Sequence, residues 1–170
     1  MGSVRTGSAK GERREKQRGF TLVELLVTLT LLGVLVSVAM PFSALVKQRN
    51  RESELRHSLL VIRGALDRYK QAADEGHVDK AADASGYPPT LADLVEGVPD
   101  KKSLDGRKIY FLRRLPADPM AGSEQGDSES TWETRSYDSS PDAFSSGKDV
   151  FDIRSKSEEV GINGIPYNQW

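Results

Sequence analysis

The chain has no cysteine, only two histidines and two tryptophans among its 170 residues, and almost no net charge. Without cysteine there can be no disulfide framework, thiolate nucleophile or cysteine-ligated metal. Two histidines as far apart as His57 and His77 do not make a metal site, and both are expected to be solvated. With 24 basic and 25 acidic residues the formal charge is −1, a balance that favours neither nucleic acid nor a strongly acidic substrate. There is no phosphate-binding Gly-rich loop, no Gly-x-Ser-x-Gly and no His-Glu-x-x-His, and the polar stretch Gly126–Ser130 has no histidine near it in sequence. The sequence therefore does not read as an enzyme. Basic residues are not interleaved with aromatics, so it does not read as a nucleic-acid binder either.

The near-neutral average hides an asymmetry. Residues 1–19 hold six basic side chains against Glu12 and Glu15, leaving +4 there and about −5 for the remainder. From Gly19 to Val46 the only ionisable side chain is Glu24. At ~1.5 Å rise per residue those 28 residues would run ~40 Å as a helix, enough to cross a hydrocarbon core of ~30 Å. A cleaved secretory signal would have an apolar region of only ~7–15 residues and a small-residue cleavage site, and a helix this apolar would be hard to cover inside a small soluble domain. The expectation is a membrane span with the basic leader in the cytoplasm and the rest of the chain outside.

Glu24 is the anomaly. A carboxylate in the hydrocarbon costs about 2.5–3.5 kcal/mol, and no basic side chain lies one turn away on the apolar side. A cut after Gly19 would make Phe20 the new terminus, and its α-amine would then lie four residues from Glu24. Between parallel helices offset along their axes, the Glu of one could meet the amine of the next and set their register.

Arg18-Gly19-Phe20-Thr21-Leu22-Val23-Glu24, followed by an apolar helix containing Gly33 and Pro41, resembles the class III signal of type IV pilins and type II secretion pseudopilins. That resemblance implies cleavage after Gly19 by a membrane-embedded aspartyl prepilin peptidase, N-methylation of Phe20, and a subunit-docking role for Glu24. Gly33 and Pro41 would be tolerated helix irregularities, or points where the helix bends or melts on assembly.

Beyond Pro41, Leu55, Leu59, Ile62, Leu66, Tyr69 and Ala73 recur at helical spacing, with Arg56, Arg63, Asp67 and Lys70 on other faces. One helical stem from residue 20 to about 73 is expected, lipid-facing in its first half and one-sided in its second. Residues 74–89 read as a connector. Thr90–Gly97 is expected to be a short helix with Thr90 as N-cap, Asp93 at the capping-box position and Gly97 as its stop. Ile109–Leu112, Thr131–Tyr137 and Asp149–Arg154 are strand candidates. The expectation is an α+β, type IV pilin-like fold: a long N-terminal transmembrane and amphipathic helix packed against a small C-terminal antiparallel sheet. The segments are a leader at 1–19, a transmembrane half-stem at 20–46, an amphipathic half-stem at 47–73 and a head at 74–170.

The head motifs Tyr87-Pro88-Pro89-Thr90-Leu91-Ala92-Asp93-Leu94, Leu115-Pro116-Ala117-Asp118-Pro119, Ser140-Pro141-Asp142, Asp149–Ile153 and Asn163-Gly164-Ile165-Pro166-Tyr167 resemble the G-type major pseudopilins of type II secretion. Met120-Ala121-Gly122 and a polar insertion replace the aromatic and Gly-Asn that usually follow the Asp-Pro. The resemblance implies a homopolymer that also contacts minor pseudopilins, the prepilin peptidase and an inner-membrane assembly platform. It implies the bacterial inner membrane as location, with the head in the periplasm. It further implies calcium in the acidic loop before the last strand, where Asp142 and Asp149 are the candidate ligands. A solvated acidic loop is the alternative there. For function, the alternatives are a type IV pilin or a single-pass membrane protein with a ligand-binding head.

Overall fold

The computed structural model describes residues 19–122, 127–140 and 143–170, and side chains at 38–41 are not described. The basic leader up to Arg18, part of the polar insertion, and Pro141 with Asp142 lie outside the described residues. The chain divides into two compact units, one ending at Ser43 and one beginning at Ala44.

In the first unit the backbone enters helix α1, assigned over Leu22–Asp74. Thr21 starts it: its Oγ1 accepts a hydrogen bond from the Glu24 N–H at 3.2 Å, and its carbonyl accepts from Leu25 N–H at 3.1 Å. A threonine just outside the first turn satisfies one of the donors that every helix start leaves free. The described apolar side chains that follow are exposed; Leu22, Leu29 and Leu35 are all more than half exposed. Three hydroxyls are satisfied within the helix, those of Thr28, Thr30 and Ser37 donating to the carbonyls of Leu25, Leu26 and Gly33 at 2.8–2.9 Å.

In the second unit α1 becomes one-sided, as its period requires. Leu55, Leu59, Ile62, Leu66, Tyr69 and Ala73 are all buried, joined by Leu91, Leu94, Phe111, Leu112, Trp132, Val150, Ile153 and Tyr167 in one core. The short helix α2 spans Asp93–Glu96 and pushes Leu94 into that core. Its entry keeps the expected capping-box bond at Asp93 but not the expected role of the Thr90 hydroxyl. The Thr90 hydroxyl is a donor, and the Asp93 carboxylate accepts from both Thr90 Oγ1 (2.8 Å) and Thr90 N–H (2.9 Å). Gly97 ends it at φ +76°, and a Cβ there would sit 2.7 Å from the Tyr110 ring. Any other residue would meet both strain and a ring.

The expected single sheet is two separate two-stranded ribbons. Strands β1 (Val98–Pro99) and β2 (Lys108–Ile109) pair antiparallel, as do β3 (Trp132–Arg135) and β4 (Asp152–Ser155), with Trp132 opposite Ser155 and Arg135 opposite Asp152. Ile109–Leu112 fails as a strand after Ile109 because Phe111 and Leu112 give both their N–H groups to the carbonyl of Leu94. That pins the segment to α2 instead of to a sheet.

Ribbons this small cannot hold themselves on a helix. Polar clasps do it. Glu52, 3% exposed, accepts from Ile162 N–H at 2.7 Å and Tyr167 Oη at 3.1 Å, tying the last residues to α1. Arg63 reaches Asp152 Oδ1 at 2.7 Å, Ile153 O at 3.0 Å and Trp170 O at 3.1 Å. Buried Asp118 accepts from Ser155 Oγ at 2.5 Å and Met120 N–H at 2.8 Å, while Trp132 Nε1 donates to Pro116 O at 2.8 Å. His77 is not simply solvated: its Nδ1 lies 2.8 Å from Asp100 Oδ1.

Glu52→Ala removes the acceptor shared by the Ile162 N–H and the buried Tyr167 hydroxyl. We expect a loss of about 2–3 kcal/mol, read by denaturant unfolding of the detergent-solubilised chain through tryptophan fluorescence. Glu54→Ala, on the exposed side of α1, should stay within about 0.5 kcal/mol of wild type.

Candidate processing and assembly site

Gly19, Phe20, Thr21 and Glu24 lie together at the start of α1. Gly19 and Phe20 precede the helix, and Phe20 is 81% exposed. Gly19 has no left-handed backbone, and a Cβ built on it would meet nothing within 4 Å. The fold itself does not need glycine there. A requirement for a small residue at this point would come from something that handles the extended segment from outside.

Glu24 sits in the first helical turn, where the aligned peptide dipoles favour a negative charge. Among the described residues its carboxylate makes no ion pair and no hydrogen bond; only its backbone N–H is held, by Thr21. Magnitudes decide what is left over. The dipole supplies about 0.3–1 kcal/mol at an exposed helix end, against an insertion cost whose upper bound, at the hydrocarbon centre, is about 2.5–3.5 kcal/mol. A counter-charge is still wanted. The Thr-x-x-Glu spacing of a capping box was available in the sequence and marks Thr21 as a positioning residue that the charge argument overlooks.

Gly33 behaves like Gly19: it has ordinary helical φ and nothing within 4 Å of its would-be Cβ. Relative to alanine it costs about 0.8–1 kcal/mol within a helix, with no compensating contact in the described residues. Such small positions let helix backbones approach closely in lipid.

In the second unit, the acidic loop is organised by Asp149. Its carboxylate accepts from the Ser85 hydroxyl, from Ser136 Oγ at 2.7 Å and from Tyr137 N–H at 2.9 Å. Burial pushes this carboxyl up, but the hydrogen bonds from Ser85, Tyr137 and Ser136 outweigh it, and the net effect holds it below the usual aspartate value. Beside it is a cavity of about 490 Å³ lined in part by Asp83, Ser85, Asp138, Lys148 and Asp149. Among the described residues no group of three or more acidic or histidine side chains is placed to hold a metal ion. Asp142, the other candidate ligand, lies outside the described residues. Asp152 faces away, paired with Arg63, in keeping with the alternation along its strand.

Residues 14–40 match the family model described as the prokaryotic N-terminal methylation motif. The chain is 31% identical to the type II secretion system core protein G of Klebsiella michiganensis over 118 residues, covering 66% of this chain and 75% of that one. It is 32% identical to the protein of that name from Klebsiella pneumoniae (65% and 74% covered) and 34% identical to that from Escherichia coli K12 (62% and 68%). No solved structure gives a significant match. The methylation motif at the capped start of an apolar helix, the small α+β head behind it and these relatives agree: the chain has a type IV pilin-like fold and belongs to the type II secretion system core protein G family of pseudopilins.

Proposed function

We propose that this chain is a structural, non-catalytic subunit of a periplasmic pseudopilus. It enters the inner membrane with its leader in the cytoplasm and its head in the periplasm. Prepilin peptidase cuts after Gly19 and methylates the Phe20 amine. An assembly platform and minor pseudopilins then help the copies polymerise, and the growing filament drives folded proteins out through the secretion channel. The observation that carries this reading is the carboxylate of Glu24, unpartnered among the described residues on a helix half whose described apolar side chains are all exposed. An amine created by cleavage supplies its counter-charge, and a neighbouring copy supplies the apolar cover. The conformationally unconstrained Gly19 supports recognition of that position by a protease.

We further propose that calcium enters at Asp149. The Ser85 and Ser136 hydroxyls around it offer hard oxygen ligands once they turn their protons away, since a hydroxyl both donates and accepts.

Mass spectrometry of the mature protein should give an N-terminus at methylated Phe20, and a retained leader would overturn the proposal. Glu24→Ala should insert into the membrane as wild type does yet assemble poorly, scored by sheared filaments; normal filaments would remove the docking role. Because the folded-state pKa of Asp149 lies below the unfolded value of ~3.9, its contribution is fully present above pH ~4 and is lost as the pH falls through the folded value. Asp149→Asn should therefore lower the melting temperature near neutral pH and flatten its fall in acid. Millimolar calcium against EGTA should raise the wild-type melting temperature and leave Asp149→Asn unmoved. An unchanged wild type would dismiss the ion.

A further inference from the structure

Two exposed surfaces on the head are complementary and lie at opposite ends of the buried half of α1. The first is the tip of the β1–β2 hairpin. Lys101, Lys102, Arg107 and Lys108 outnumber Asp100 and Asp105 there, and Leu104 stands fully exposed at the turn. The tip is held firmly: Asp100 N–H donates to Arg107 O at 2.9 Å and Lys101 N–H to His77 O at 2.8 Å, just past the end of α1. Lys101 pairs with Asp79 and Arg107 with Asp105, whereas Lys102 makes no ion pair among the described residues.

The second surface is the segment Glu158–Ile162. Glu158 and Glu159 are exposed and make no ion pair among the described residues, and beside them Val160 is 55% exposed; Ile162, further along, borders Arg49 and Arg56. This segment too is fixed, by Ile162 N–H on Glu52 and by a bridge from Val160 to Pro166. Glu52 and the helix end at Asp74 are separated by about 33 Å at 1.5 Å per residue, so the two surfaces cannot meet within one copy.

We propose that the basic Leu104 tip of one copy seats on the acidic Glu158–Ile162 segment of the next. Leu104 beside Lys102 matches Val160 beside Glu158 and Glu159, and opposite charges on a rim steer register and exclude like faces. Two different patches joined head to tail make an open, propagating contact rather than a closed dimer. The patch is far smaller than a stable interface of roughly 800 Å² per partner. It acts when the helices already hold the copies together and raise their effective concentration. The proposal thus rests on the filament reading.

The cysteine-free sequence allows a direct test in the full-length chain, in cells that assemble it. A double L104C/V160C variant should give an oxidation-dependent ladder of multimers on non-reducing gels, while each single variant, with no thiol facing it across the contact, should stay monomeric. Adding K102E or E159K alone should weaken the ladder several-fold, and adding both should restore it, a rescue that a purely structural role for either residue would not produce. Filaments seen by electron microscopy without a ladder would overturn the contact and leave the filament reading standing. A Leu104→Cys adduct with a different protein would also overturn it. Absence of wild-type filaments would sink both.

Discussion

The head depends on a single constraint: one apolar stripe of α1 must be covered by chain that has too little regular structure to do so alone. The two ribbons have two and four residues per strand, and α2 is a single turn. Hydrophobic burial supplies the drive but no geometry. Geometry comes from charged groups brought in from α1 and the loops. Glu52 takes the C-terminal segment, Arg63 takes β4 together with the last carbonyl, and Asp118 takes the end of β4. Each takes part in more than one hydrogen bond, which is the condition for a buried or half-buried charge to be tolerated.

What the sequence discloses follows from the same division. The stripe from Leu55 to Ala73 is legible because apolar side chains recur at a helical period, and every member of it is buried. The apolar run and its lone carboxylate are legible for a simpler reason, since composition alone sets them apart. Glu52 escapes notice because it reads as a surface charge four residues before Arg56. It nevertheless lies three residues before Leu55 and so on the stripe itself, and a charged residue at that phase is a signal that it is buried with partners.

The β3–β4 ribbon is legible, because Thr131–Tyr137 contains β3 and Asp149–Arg154 overlaps β4, but the β1–β2 ribbon and the clasps are not. A two-residue strand carries no period, and the segment after Ile109 goes to α2 through the carbonyl of Leu94, a choice made by tertiary contact. At Asp149, the residue type suggested an ion ligand, while Ser85 and Ser136 lie 64 and 13 positions away and are brought to it only by the fold. The same holds for His77 and Asp100, a pair separated by 23 positions. Long-range polar partners leave no local trace in sequence.

The back-bonded hydroxyls of Thr28, Thr30 and Ser37 carry a further consequence. Because each donates to a carbonyl of its own helix, none depends on what surrounds that helix. The segment can exchange fatty-acyl neighbours for peptide neighbours, or the reverse, without making or breaking a polar bond at those three positions. Its solvation is portable, and the free energy of such a transfer is left to shape and to the one carboxylate that has no portable partner.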